Sequence, residues 1–175
     1  MGKFCSSLAG RAAYISLPTF TNAELKAAGI SEPDLYGSMF QGFYPAVYDR
    51  NLDPSMYYHE YIATYVERDV RQIKNISNLR LFREFIRLLA GRIGQPFNVR
   101  SLSNDVGVSA KTIKEWLSVL EASYIIFTLS PYFQNTGKQV TKMPKVYFYD
   151  TGLLCCLLDL AGAKELETGK YGAVA

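Results

Sequence analysis

Between Asn98 and Tyr149 the hydrophobic period switches from helical to alternating, and that switch limits the folds open to this chain more than any other feature. Asn98 is placed to cap a short helix over Val99 to Asp105. Val106-Gly107-Val108 follows, where Gly107 supplies the positive φ that a sharp helix-helix corner needs. Ser109 then caps a longer helix from Ala110 to about Ala122, with Ile113, Trp116, Leu117 and Leu120 on its core face. Tyr124 to Leu129 (YIIFTL) is rich in β-branched and aromatic residues and reads as a strand. Asn135-Thr136-Gly137-Lys138 supplies turn chemistry, and Lys145 to Tyr149 makes the return strand. Helix, turn, helix, strand, turn, strand is the order of a winged helix-turn-helix with a two-stranded β-wing. We expect that unit over residues 97–152.

The rest of the chain is arranged around it. Residues 1–50 read as connecting structure. Within them Ala12 to Leu17 is a short strand candidate, Thr21 caps a helix over Asn22 to Ala28 that stops at Gly29, and Pro33 to Tyr48 reads as irregular packing. Residues 51–96 read as a two-helix unit. Asp53 and Pro54 open the first helix, about Ser55 to Lys74, with Tyr58, Tyr61, Ile62, Tyr65, Asp69 and Ile73 on one stripe. Ser77 is read as the cap of the second, whose buried face is Leu79, Phe82, Phe85, Ile86, Leu89 and Ile93, with Arg80, Arg83 and Arg87 opposite. Residues 153–175 read as a C-terminal helix, near Leu153 to Leu160, and a tail. The expected class is mainly α (α+β).

The chemistry that is missing is as informative as the pattern. Cys5, Cys155 and Cys156 are odd in number and two are adjacent in an apolar run, a poor disulfide framework that suits a reducing cytoplasm. One histidine cannot complete a zinc set, so no metal is expected. No run approaches the roughly 18 apolar residues needed to span a bilayer, so no membrane partner is expected. No G-x4-G-K-[ST] phosphate loop, G-x-S-x-G elbow or recognisable Cys-His couple is present. His59 reads as a partly exposed helix residue and not a general base, and Trp116 as a core anchor and not a stacking platform. Neither a catalytic residue nor a cofactor is expected.

What remains is binding. The net charge of +3 is mild, and residues 98–149 hold six basic side chains against three acidic ones. Lys111, Lys114 and Ser118 lie on the exposed side of the second helix, and Lys138, Lys142 and Lys145 on the wing; all six are candidate nucleic-acid contacts. That helix lacks an Arg, Asn or Gln aimed at base edges, so sequence-independent DNA contact and a protein partner stand equally open, ahead of specific base readout. Glu67-Arg68-Asp69-Val70-Arg71 has three readings: a buried ion-pair cluster, because Asp69 falls on the apolar stripe, a solvated charged face, or, behind these, a catalytic or nucleotide-sensing site.

Several motifs in order carry a resemblance: Ser7-Leu8-Ala9-Gly10-Arg11, Gly42-Phe43-Tyr44-Pro45, Tyr65 to Arg71, Trp116 to Ile125, and Pro144 to Leu153. Together they resemble the AAA-type (P-loop) ATPases that carry a DUF4143 region. The resemblance implies a fragment that lacks the nucleotide-binding core and the nuclease-like C-terminal part. It marks Arg11, Glu67, Arg68, Asp69 and Arg71 as family-motif residues, with Arg11 approaching a nucleotide only in the full-length relatives. It implies a non-enzymatic regulatory region whose partners are DNA, the ATPase core or another protein, with a homo-oligomer as a further option. The alternative is a free-standing winged-helix DNA-binding protein.

Overall fold

A computed structural model of the chain describes residue 13 and residues 17–30, 34–65, 78–131 and 143–169. Among these residues the protein is mainly helical, with one two-stranded antiparallel sheet. Its elements are α1 (Asn22–Ala27), α2 (Leu35–Gln41), α3 (Pro45–Asp49), α4 (Pro54–Tyr61), α5 (Leu79–Ala90), α6 (Val99–Val106), α7 (Ala110–Ala122), β1 (Ile126–Leu129), β2 (Lys145–Phe148), α8 (Thr151–Leu157) and α9 (Ala163–Thr168). None of its helices is long and apolar enough to cross a membrane.

Caps decide where most helices begin. Thr21 and Glu24 form a reciprocal capping box on α1, and Gly29 follows at φ 71°. Asp53 accepts from the Met56 amide ahead of Pro54, Asn98 from the Arg100 amide, and Ser109 from the Thr112 amide. Gly107 ends α6 in the left-handed region at φ 77°, as the corner requires. The cap of α5 is Asn78, which accepts from the Leu81 amide, and not the expected Ser77. The expected irregular packing of 33–48 is also corrected, because α2 and α3 lie there. Asp34 caps α2 through the Gly37 amide, and Pro45 opens α3 as its first residue. Aromatics and glycines hid both helices, since neither is long enough to show a period.

One apolar cluster runs from Val47 to Leu157. The face of α7 lies at its centre: Ile113 and Leu120 are fully buried and Trp116 is 5% exposed. Trp116 meets Phe82 edge-on at 5.3 Å and Phe85 at 5.3 Å, which joins α7 to α5. The strands pair Ile126 with Phe148 through Leu129 with Lys145, so Ile126, Val146 and Phe148 point into the core. The first strand starts two residues later than expected because Tyr124 sits at φ 53°, a bend in the chain that ends the preceding turn. Residues 94–97 run beside β2: the Gly94 amide donates to the Val146 carbonyl and the Phe97 amide to the Pro144 carbonyl, both at 3.0 Å. A smaller cluster, Met39, Cys155 and Leu166, joins α2, α8 and α9.

A buried carboxylate ties the two ends of this assembly together. Asp150 is 1% exposed; it caps α8 by accepting from the Leu153 amide and reaches the Phe43 amide, each at 2.7 Å. The Tyr58 hydroxyl lies against the same carboxylate and against the Gln41 carbonyl, at 3.2 Å from the latter. Gly42, at φ 71°, passes so close that a Cβ there would collide with the Tyr58 hydroxyl and with Asp150. Burial raises the Asp150 pKa above its ordinary 3.8, while the amides of Leu153 and Phe43, the Tyr58 hydroxyl and the Gly152 amide pull it back.

Replacing Asp150 by Ala leaves the Phe43 and Leu153 amides without their acceptor, with an expected cost of about 2–4 kcal/mol in urea unfolding at pH 7. The raised pKa sets a sign for the wild type. The stability it contributes is complete below 3.8 and is lost as pH rises through the raised value. The stability of wild type relative to Asp150→Asn is therefore expected to fall across that window, and a rise would contradict the assignment.

Candidate functional site

The first candidate surface is the outer side of α7. Lys111, Lys114 and Ser118 are exposed there at helical spacing, opposite Ile113, Leu117 and Leu120, with Glu115 beside them. Glu121 on the same helix accepts from the Thr128 hydroxyl at 2.7 Å, a side-chain link between α7 and β1. Lys145 is exposed at the start of β2, opposite Leu129. Lys138 and Lys142 lie outside the described residues, as do Arg11, Glu67, Arg68, Asp69 and Arg71 and the expected wing turn.

The solvent face of the two strands carries a feature that the charge count missed. Phe127 stacks on Tyr147 with centroids 5.5 Å apart and meets Tyr149 at 5.2 Å. Tyr124, 57% exposed, meets Tyr149 edge-on. Part of the signal was in the sequence: Tyr147 and Tyr149 alternate with Val146 and Phe148 along the second strand, and only one set can face the core. An exposed ring ladder of this kind offers flat apolar area with polar tips.

The second candidate is a groove of about 710 Å³ between α4, α5 and α8. His59, Ile62 and Ala63 come from α4 and the π-helical turn that extends it, and Cys156 and Leu157 from α8. Arg80, Arg83 and Arg87 line it from the exposed side of α5, as the helical spacing predicts. Arg87 pairs with Asp159 at 3.0 Å and Arg80 with Glu84 at 3.7 Å.

His59 and Cys156, 97 residues apart, meet here with Nδ1 and Sγ separated by 3.3 Å. No local motif announces the couple, because α4 and α8 come together only in the tertiary fold. The same Nδ1 is 2.8 Å from the Ser55 carbonyl, which can only accept, so Nδ1 carries a hydrogen and donates it there. Burial, with the Asp159 charge adding to it and Arg87 opposing it, pushes the Cys156 thiol up to about 11. A protonated nitrogen facing a neutral thiol cannot serve as the base of a nucleophile pair. The couple packs the floor of the groove. Among the described residues no group of three His, Cys, Asp or Glu side chains is arranged to hold a metal ion.

Comparison with known proteins bears on these surfaces. A family model, Domain of unknown function (DUF8612), matches residues 32–164. Two mycobacterial relatives, uncharacterized protein Mb2031c of Mycobacterium bovis and uncharacterized protein Rv2008c of Mycobacterium tuberculosis, are each 31% identical over 174 residues. That alignment takes in 99% of this chain, and the chain spans 39% of the length of each relative. No solved structure matches. The resemblance to DUF4143-bearing AAA-type ATPases is thereby corrected, since the matching family is a different one and neither relative's name carries an ATPase activity. Two of its motifs have a packing role: Gly42-Phe43 and Asp150-Thr151-Gly152-Leu153 are the two halves of the Tyr58–Asp150 contact.

In a chain carrying Cys5→Ser, iodoacetamide is expected to alkylate Cys156 at pH 7.5 roughly 100-fold or more slowly than an ordinary thiol. The rate should climb about tenfold per pH unit toward 11. A rate at pH 7.5 equal to that of free cysteine would mean that His59 activates the thiol after all.

Proposed function

We infer a function from the premise that this chain belongs to the DUF8612 family: it is a non-enzymatic binding module whose helix-turn-helix contacts nucleic acid without reading sequence. The observation that carries this reading is the outer side of α7, where Lys111, Lys114 and Ser118 are exposed together behind a fully packed inner face. The corner at Gly107, the following two strands and the exposed Lys145 support the winged-helix reading. Two ammonium groups and a hydroxyl suit phosphate oxygens, while the absence of Arg, Asn and Gln on that face argues against base readout. Glu115 lowers the local charge and points to modest affinity.

A protein partner is the second reading, favoured by one specific observation. The ring ladder of Phe127, Tyr147 and Tyr149 resembles the aromatic composition of interface cores more than that of a phosphate-binding surface.

The nucleic-acid reading predicts retention of duplex DNA in a gel-shift assay at about 50 mM salt, with affinity falling steeply as salt rises. Lys111→Ala with Lys114→Ala should reduce the slope of log K against log salt by about 2, roughly one unit per lost phosphate contact. No retention at low salt, or a double variant that binds as the wild type does, would remove this reading and leave the protein partner.

A further inference from the structure

The outward face of the two strands is one continuous run of side chains. Lys145, Tyr147 and Tyr149 stand at alternate positions along β2, and Leu129 and Phe127 lie across from the first two on β1. Phe127 sits between Tyr147 and Tyr149, with ring centroids 5.5 and 5.2 Å away, and Tyr124 extends the run 5.9 Å beyond Tyr149. Phe127 is 37% exposed, Tyr149 40% and Tyr124 57%, so these rings leave to solvent area that aromatic side chains ordinarily bury. Thr128 points the other way and reaches Glu121, so the rings face away from α7.

The charge on this part of the chain has one sign. Residues 122–149 include Lys138, Lys142 and Lys145 and not one Asp or Glu. Among the described residues the Lys145 ammonium has no carboxylate partner, and the hydroxyls of Tyr124, Tyr147 and Tyr149 have no hydrogen-bond partner. A second copy laid on this face would set lysine against lysine. A duplex keeps its base faces inside its own stack and has none to offer the rings. An unpaired nucleic acid supplies both halves of the match, base faces for the rings and phosphates for the free ammonium and hydroxyls.

We propose that the outward face of β1 and β2 binds single-stranded nucleic acid, with bases stacked on Phe127, Tyr147 and Tyr149 and a phosphate at Lys145. Every base has a π-face, so the selection is for unpaired over paired nucleic acid and not for a sequence. The site is separate from Lys111, Lys114 and Ser118 and does not rest on their role.

The probes are a fluorescent single strand of about twelve thymidines, an abasic strand of the same length and charge, and a duplex of that length, titrated by anisotropy at about 50 mM salt. The thymidine strand is expected to bind at least about tenfold more tightly than the abasic one, since only the bases differ. Phe127→Leu with Tyr149→Leu keeps apolar bulk but removes two π-faces. It should close that gap and leave duplex affinity unchanged. Emission from Trp116, the sole tryptophan, packed against Phe82 and Phe85, checks that the variant is folded. Tyr149→Leu alone is the milder change, and should narrow the gap about threefold or more. Lys111→Ala with Lys114→Ala should weaken the duplex and leave the thymidine-to-abasic gap as it is, so the two surfaces fail separately. Equal affinity of the two single strands for the wild type would overturn the proposal and leave the rings to a protein partner. A gap that survives in the folded ring variants would overturn it as well.

Discussion

A carboxylate buried among donors is the constraint from which the arrangement of the helices follows. Asp150 satisfies the first turn of α8 and the Phe43 amide at once, so the segment after β2 and the loop before α3 must approach to hydrogen-bond distance. Tyr58 closes the contact from α4, with burial and the Asp150 charge holding its phenol far above the usual range and hence as a hydroxyl. Gly42 is required for this approach because any side chain there would occupy the space of the Tyr58 ring tip. With α4 and α8 held side by side, α5 is left to pack against α6 and α8, and the groove arises as the space between them.

The half built from α6, α7 and the two strands obeys a different rule. Its geometry comes from apolar spacing and caps, local features that act over a few residues. Ile113, Trp116 and Leu120 are spaced to meet α5 on one side, and the Phe82 and Phe85 rings receive the indole. The strands then pack on α7 through Ile125, Ile126, Val146 and Phe148, with a Thr128–Glu121 side-chain hydrogen bond added at the edge. Local rules build this half, and a long-range knot fastens it to the rest of the chain.

That division explains what could be read from the sequence. The caps at Thr21, Asp53, Asn98 and Ser109, the Gly107 corner, both strands and the buried face of α7 were all legible, because each rests on residue type at short spacing. Helices α2 and α3 were not, since five to seven residues give too little period and their glycine and aromatic content suggests a loop. The exposed lysines of α7 were found by the same periodicity that found its core. The groove was hidden, because His59, Arg87 and Cys156 are chemically unremarkable until α4, α5 and α8 meet. The family resemblance is overturned by the family match, and two of the motifs that carried it, Gly42-Phe43 and Asp150 to Leu153, are ones the Asp150 contact demands.

The segment of residues 94–97 that runs along β2 has a consequence for how chains meet. A two-stranded ribbon standing alone presents two open flanks, each a template for a strand from another molecule. Here the backbone on one side is already engaged by Gly94 and Phe97, with Pro96, which has no amide hydrogen to offer, seated against Lys145. Sheet extension between copies is thereby confined to the β1 flank, and the ring-bearing surface is left facing outward and not drawn into a continuous ladder.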